Sequence, residues 1–380
     1  MTASILEASG LRAARYMSPH ISDFRERISL GSSFFEEPVY CAAGDELRDL
    51  AENKIPAAKI SLFDPADKEG EAPTFFELLT LYFFLCAKHG GCDAMVVETG
   101  MGGRLDCTNI VDPAVSVITL IELEHTAVLG RTIPAIAGEK AGIIKAGKPV
   151  VLAKQPPEAL DVFRKKAAEI NSPLFYFPEL AAISNLRVHT GGTDFSLNFI
   201  GEKNPQGFSV PIPGAIQAEN AGLAVLALKY FDKNINNDTI RFGLKSLKIP
   251  ARFEKIADRP PLIIDGAHTP ESASLCADTF CSLYGEGGIL LFGCAADKDA
   301  SAMAKILLPR FSRIIITMPG TFRSSNPEKV YDVFASDKTT LIKDTSEAIK
   351  QALELSREKD LPVLCTGSFY LASEVKTGSR

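Results

Sequence analysis

A chain of 380 residues is long enough for two globular domains, and 46% hydrophobic residues give each one material for a core. A formal net charge of -6 without any basic tract argues against a nucleic-acid surface. No apolar run reaches membrane-spanning length, no signal peptide is expected, and the eight Cys show no metal spacing, so the chain reads as a cytoplasmic protein with reduced thiols.

Residues 2–11 read as a helix with one apolar face. Ser18-Pro19-His20 breaks regular structure, because Pro fixes its own φ and restricts the residue before it. The charged run 23–28 leads into a loop or short strand, 41–53 looks helical, and 61–72, with Pro65 and Gly70, reads as a loop. Thr74-Phe-Phe-Glu77 is a capping box that opens a helix to about Lys88, stopped by Gly90-Gly91. Met95 to Val97 suit a buried strand, and Glu98 ends it. Gly100, Gly102 and Gly103 follow, so the backbone can take positive φ and approach a ligand closely. A carboxylate at the carboxyl end of a buried strand lies where open α/β sheets bind ligands.

A second buried strand at 115–119 runs into Glu122-Leu-Glu-His125. A helix over 132–145 carries Lys140, and a strand at 149–153 and a helix at 157–170 come next. Short strand signals fill 173–213, a helix over 217–230 carries Asn220, and one more helix leads to Ile249-Pro250. From Pro261 the pattern restarts, with strands at 262–265, 289–292, 313–317, 339–342 and 362–366 alternating with helices. The expected fold is therefore α/β with two doubly wound domains, residues 1–249 and 250–380.

Glu98 and His125 follow two successive strands, so one parallel sheet would put both at one edge, where they could hold Mg²⁺ or Mn²⁺ rather than zinc. A lone histidine there would instead cap a helix or sit buried in a hydrogen bond. Lys140 in an Ala/Gly/Ile-rich helix is most often a surface residue. Beside a metal, its desolvated amine could lose its proton and take up CO₂ as a carbamate. Leu262-Ile-Ile-Asp265-Gly-Ala-His268-Thr-Pro270 repeats the strand, acid and turn arrangement. Arg252, just past the interdomain Pro, is either solvated or placed to meet Asp265 and a nucleotide. Lys298, between Asp297 and Asp299, is expected only to salt-bridge.

Taken in order, these segments resemble folylpolyglutamate synthase/dihydrofolate synthase of the Mur ligase superfamily. The matches are Ser18-Pro19-His20 with Phe24-Arg-Glu-Arg27, Thr74–Glu77, Glu98-Thr-Gly-Met-Gly-Gly-Arg-Leu-Asp106-Cys-Thr-Asn109, and Glu139-Lys-Ala-Gly-Ile-Ile-Lys145. They continue with Gln217-Ala-Glu-Asn220, Arg252-Phe-Glu254, Asp265-Gly-Ala-His268 and Thr366-Gly-Ser-Phe-Tyr370. The resemblance implies a central ATPase-type domain followed by a smaller Rossmann-like one, and an ATP- and Mg²⁺-dependent ligase joining L-glutamate to dihydropteroate or folate through an acyl phosphate. It implies Glu98 and His125 as metal ligands and Lys140 as a carbamylated lysine assisting them. Asn220, Arg252 and Asp265 would contact the nucleotide, His268 the phosphates or glutamate, and Ser18, His20 and Asp106 the pterin. A cytoplasmic monomer is expected.

The family's glycine-rich phosphate loop belongs just before the first helix, and this sequence starts beyond it. The expectation is that Met1 is an internal methionine and that the full protein carries the loop. A short inactive folate- or nucleotide-binding paralogue is the alternative, and a Mur-type peptidoglycan ligase is a further one. Glu124, Ala251 and Thr269 stand where the family usually has Asp, Gly and Asn.

Overall fold

The computed structural model describes residues 1–53, 73–320 and 324–378, so the loop expected at 61–72 lies outside the described residues. Helix α1 (Thr2–Ala8) leads into β1 (Ala13–Tyr16) and β2 (Ile28–Leu30), which pair antiparallel; α2 (Glu37–Asn53) and α3 (Phe75–His89) precede β3 (Ala94–Val97), which pairs parallel with β1. The capping box forms as expected: the Thr74 hydroxyl accepts from the Glu77 N–H, and the Glu77 carboxylate accepts from the Thr74 N–H. One face of this sheet buries Tyr16, Ile28, Leu79 and Phe83 together.

Next come β4 (Ser116–Ile118), α4 (Thr126–Leu129), α5 (Ile133–Lys140), β5 (Val150–Leu152), α6 (Pro157–Glu169), β6 (Leu174–Tyr176) and α7 (Phe177–Leu180). β4, β5 and β6 form a second parallel sheet. β7 (Ala181–His189), β8 (Gly192–Phe199) and β9 (Gln206–Val210) form an antiparallel meander, followed by α8 (Ala215–Phe231) and α9 (Asn237–Lys245). Helix α8 buries Ala221 to Leu228 without a polar break, because apolar neighbours surround it: Ile5 and Leu6 of α1, Val151 of β5 and Leu197 of β8.

The remaining chain is one six-stranded sheet. Its elements are β10 (Glu254–Asp258), β11 (Pro261–Ile264), α10 (Pro270–Tyr284), β12 (Gly288–Phe292), α11 (Ala300–Leu307), β13 (Phe311–Ile316), α12 (Pro327–Val333), β14 (Thr339–Leu341), α13 (Thr345–Lys359), β15 (Val363–Thr366) and α14 (Phe369–Gly378). The order is β10-β11-β15-β12-β13-β14, parallel apart from the β10–β11 hairpin. Apolar cores cover both faces. Strand β10, which the pattern did not show, lies at the edge with its outer residues exposed and so has no continuous apolar run.

Two expectations need correction. β3 and β4 do not share a hydrogen-bonded sheet; they lie in separate three-stranded sheets. β3 is also not fully buried: it pairs only with β1 among the described residues, and Met95 at this open edge is 47% exposed. Among the described residues no helix is long and apolar enough to cross a membrane, and no Cys is in a disulfide.

Candidate active site

The turn after β3 is held by the segment after α5. Gly102 adopts φ +70, a conformation costly for any residue with a Cβ. Arg104 Nε and Nη2 reach the Glu139 carboxylate at 3.2 and 3.0 Å, and the Arg104 N–H donates to the Glu139 carbonyl at 2.8 Å. Asn109 Nδ2 donates to the Gly142 carbonyl at 3.1 Å, and Lys145 Nζ donates to the Asn109 carbonyl at 2.8 Å. The 139–145 segment therefore docks the loop and fixes Lys140 at the end of α5. Asp106 shapes the loop from inside. Its Oδ2 accepts from the Met101 N–H at 2.9 Å and its Oδ1 from the Thr108 N–H at 3.0 Å.

Glu98 stands at the end of β3, open to solvent, and its Oε2 accepts from the Ser18 N–H at 3.2 Å. Protein lies around it on most sides, so desolvation raises its pKa, while Arg252, Arg15 and Arg27 oppose the rise. On the neighbouring loop, Arg27 Nε donates to His20 Nδ1 at 2.8 Å, and burial, then the Arg27 charge, lowers the His20 pKa.

A second group gathers around Glu124. Glu124 Oε1 lies 3.1 Å from His268 Nε2, 3.0 Å from Lys298 Nζ and 3.8 Å from His125 Nε2. These contacts, that of His268 first, hold its carboxyl well below the usual range despite burial. His268 Nδ1 faces the Gly266 carbonyl at 2.8 Å. The ring is thus held between the Gly266 carbonyl and the Glu124 carboxylate. Burial lowers the pKa of His125 and of Lys140, and the Glu124 charge opposes the shift in each. Beside this group, Thr269 Oγ1 donates to Glu122 Oε2 at 3.2 Å. Burial and a carboxyl–carboxyl hydrogen bond with Glu271 push Glu122 up to about 7.

Across the cleft, Ala251 and Phe253 both take left-handed φ, at 50° and 47°. Asp265 stabilises this bend: its Oδ2 accepts from the Phe253 N–H and its Oδ1 from the Ala267 N–H, each at 2.7 Å. It is buried, which raises its pKa. The exposed Arg252 guanidinium sits 4.6 Å from the Phe369 ring centroid. A Cβ at position 266 would lie 2.1 Å from that ring, so glycine is required there. Asn220 is half-buried in the second turn of α8.

The structure therefore divides the expected residues into two groups. Ser18, His20, Glu98 and Arg252 form one; His125, Lys140 and His268 form the other, through Glu124. Glu98 feels the charge of Arg252 and His125 that of Lys298, both from beyond Pro250, yet they follow strands of different sheets. Glu124 and Lys298 are the residues that motif reading passed over. Lys298 does salt-bridge, but from one side of the cleft to the other and with only 12% of its side chain exposed. Its place just after β12, like that of Asp265 just after β11, was the available signal.

The Mur ligase middle domain model matches residues 51–228, and the Mur ligase, glutamate ligase domain model matches residues 251–369. The folylpolyglutamate synthase of Lacticaseibacillus casei is 34% identical over 98% of this chain and 85% of its own length. This chain belongs to the folylpolyglutamate synthase/dihydrofolate synthase family of Mur ligases. The Bacillus subtilis dihydrofolate synthase/folylpolyglutamate synthase is 32% identical over 98% of this chain and 85% of its own. Among solved structures, Mycobacterium tuberculosis folylpolyglutamate synthase complexed with ADP and AMPPCP superimposes with TM-score 0.89 at 27% identity, over 100% of this chain and 87% of that one. An FPGS–AMPPCP–folate complex gives 0.82 at 31%, over 99% and 86%. The two-domain α/β architecture is that of the family.

Proposed function

We propose that this ligase joins L-glutamate to dihydropteroate or folate at the expense of ATP, in the cytoplasm and as a monomer, with its two domains meeting near Pro250. Support comes from the family relationship and from one observation above all: His125, His268 and Lys298 meet at Glu124, whose charge also acts on Lys140, where the two halves of the site close on each other. In this reading a substrate carboxylate takes the terminal phosphoryl group of ATP and ADP leaves. The glutamate amine then attacks the acyl carbon, loses a proton, and phosphate departs. Each step places charge on oxygen, and fixed cations in a confined cleft stabilise it.

Arg252 is a cationic donor on the C-terminal side and His268 faces the phosphates or the glutamate, with Asn220 on α8 as a nucleotide contact. Asp265 serves the nucleotide by holding the bend that aims Arg252. Ser18, His20 and Asp106 line the pterin side, Asp106 by shaping the 98–109 loop. The desolvated Lys140 amine suits CO₂ uptake to a carbamate.

Glu98 and His125, one from each group, are the residues that would hold Mg²⁺. Glu98 is solvent-reached and its charge is not fully compensated by the protein, and His125 is kept neutral. Among the described residues no group of three or more His, Cys, Asp or Glu side chains is placed to hold a metal ion. When bound, Mg²⁺ supplies charge neutralisation at the phosphoryl group. The peptidoglycan reading is not favoured, since the relatives are named for folate ligation. The test is glutamate-dependent ADP release by the full gene product, with tetrahydrofolate and dihydropteroate offered in turn. Release with neither substrate overturns the proposal.

A further inference from the structure

We propose that Ile21 is a positioning residue of this ligase: it clamps the loop bearing Ser18 and His20 onto helix α14, so that one helix sets both sides of the cleft. What the two sides bind rests on the folate-ligase reading above; the clamp itself does not.

The loop has a rigid stem. β1 and β2 pair through Tyr16 and Ile28, and the Met17 N–H donates to the Arg27 carbonyl at 3.0 Å. Its tip is formed as well. The Glu26 carboxylate accepts from the N–H groups of Ile21, Ser22 and Asp23 at 2.6, 3.1 and 3.2 Å. Ile21, 5% exposed, does not serve the core of its own half of the chain. It packs in the cluster of Leu371, Ala372 and Val375 of α14, and among the described residues it is the one member of that cluster from before Ala251. The Ser373 hydroxyl donates to the Ile21 carbonyl, a contact between residues 352 positions apart.

From this tip the loop reaches the candidate site directly, through Ser18 on Glu98 and Arg27 on His20. Helix α14 begins at Phe369, whose ring lies 4.6 Å from the Arg252 guanidinium carbon and 5.8 Å from the His268 ring. A shift of α14 relative to the first domain therefore moves Ser18 and His20 with it, while Arg252 and His268 stay on the helix's other partner surface. A core residue without this role would affect stability alone.

The experiment compares Ile21→Ala, Ile21→Val and Ser373→Ala in the full gene product. Ile21→Ala is expected to lower kcat/KM for the folate substrate by about tenfold, mainly through KM, with AMPPCP affinity by calorimetry unchanged. Ile21→Val is expected to recover most of that loss, and Ser373→Ala to show a smaller loss of the same kind. If Ile21→Ala does not fold, the other two variants report the same split. Unchanged kinetics in folded variants, or an equal loss for every substrate, overturns the proposal. Hydrogen exchange without substrate gives an independent reading: amides 18–23 and those of α14 are expected to lose protection together in Ile21→Ala. Joint loss in Ile21→Ala, with a wild type that proves inactive, removes the folate reading and keeps the clamp; loss confined to one segment removes the clamp.

Discussion

Two of the contacts that join the halves of this molecule are built from opposite chemistry. At one, Ile21 sits in an apolar cluster of the C-terminal domain. At the other, Glu124 holds His268 and Lys298 by charge. An apolar contact is nearly independent of direction, salt and pH, so it suits a scaffold that must hold position. A charged contact depends on distance and protonation, and its groups can act on a substrate. The comparison shows the chain keeping cohesion and chemistry in separate places: the hydrophobic clamp lies beside the charged site, and the charged site carries little of the cohesion.

The sharpest test of that division is Glu124→Gln. Without its charge His268 and Lys298 lose the carboxylate that both contact on the first domain, and activity is expected to fall about a hundredfold because groups misplaced by an ångström lose that much. The apparent melting temperature should move little, since Glu124 is 35% exposed and such pairs contribute modestly. A large drop in melting temperature with near-normal activity would reverse the assignment. Ile21→Ala is the counterpart. It should cost about 2 kcal/mol in denaturant unfolding, the typical price of a large-to-small core change, and the cost should be the same at low and high salt.

Protonation separates two neighbouring carboxylates. Glu122, pushed up to about 7, binds its proton more tightly in the folded chain than in the unfolded one. Its stabilising contribution is present below the ordinary glutamate value and is lost as pH rises toward about 7. Glu122→Gln should therefore flatten the decline in stability between pH 5 and pH 8 by about 1 kcal/mol after allowance for solvent screening. Glu124 has the opposite sign: its pKa is depressed, so its contribution is constant over that window and is lost only in acid. An unchanged pH slope in Glu122→Gln would show that Glu122 and Glu271 do not share a proton. The smallest effect is that of salt. From low to high NaCl the Glu124 contact should weaken by a few tenths of a kcal/mol, seen as a rise in KM, while hydrogen-exchange protection around Ile21 stays constant.

Much of the fold was legible residue by residue. The capping box at Thr74 to Glu77 opens α3 because its two hydrogen bonds lie within four residues. Asp265, Thr269 and Pro270 mark the end of β11 and the start of α10 in the same way. The 98–109 and 139–145 motifs were legible as two separate stretches, and the structure brings them together: Arg104, Asn109, Glu139 and Lys145 hold one segment on the other. The edge position of β10 left no apolar period to read, and the separation of β3 from β4 depends on which strands pair, which two similar apolar runs do not reveal.

The sequence by itself determined the elements, the two-domain plan and the family, because capping, strand period and turn glycines are local properties and the motif string is ordered along the chain. The tertiary structure decided which charges meet. Glu124 looked like a minor departure and Lys298 like a solvated salt bridge, yet they touch across 174 positions of sequence. Ile21 was one apolar residue in a polar loop until its neighbours on α14 were known. Contacts at such separations are set by how finished domains pack, and that depends on the shape of whole surfaces rather than on any stretch of neighbouring residues.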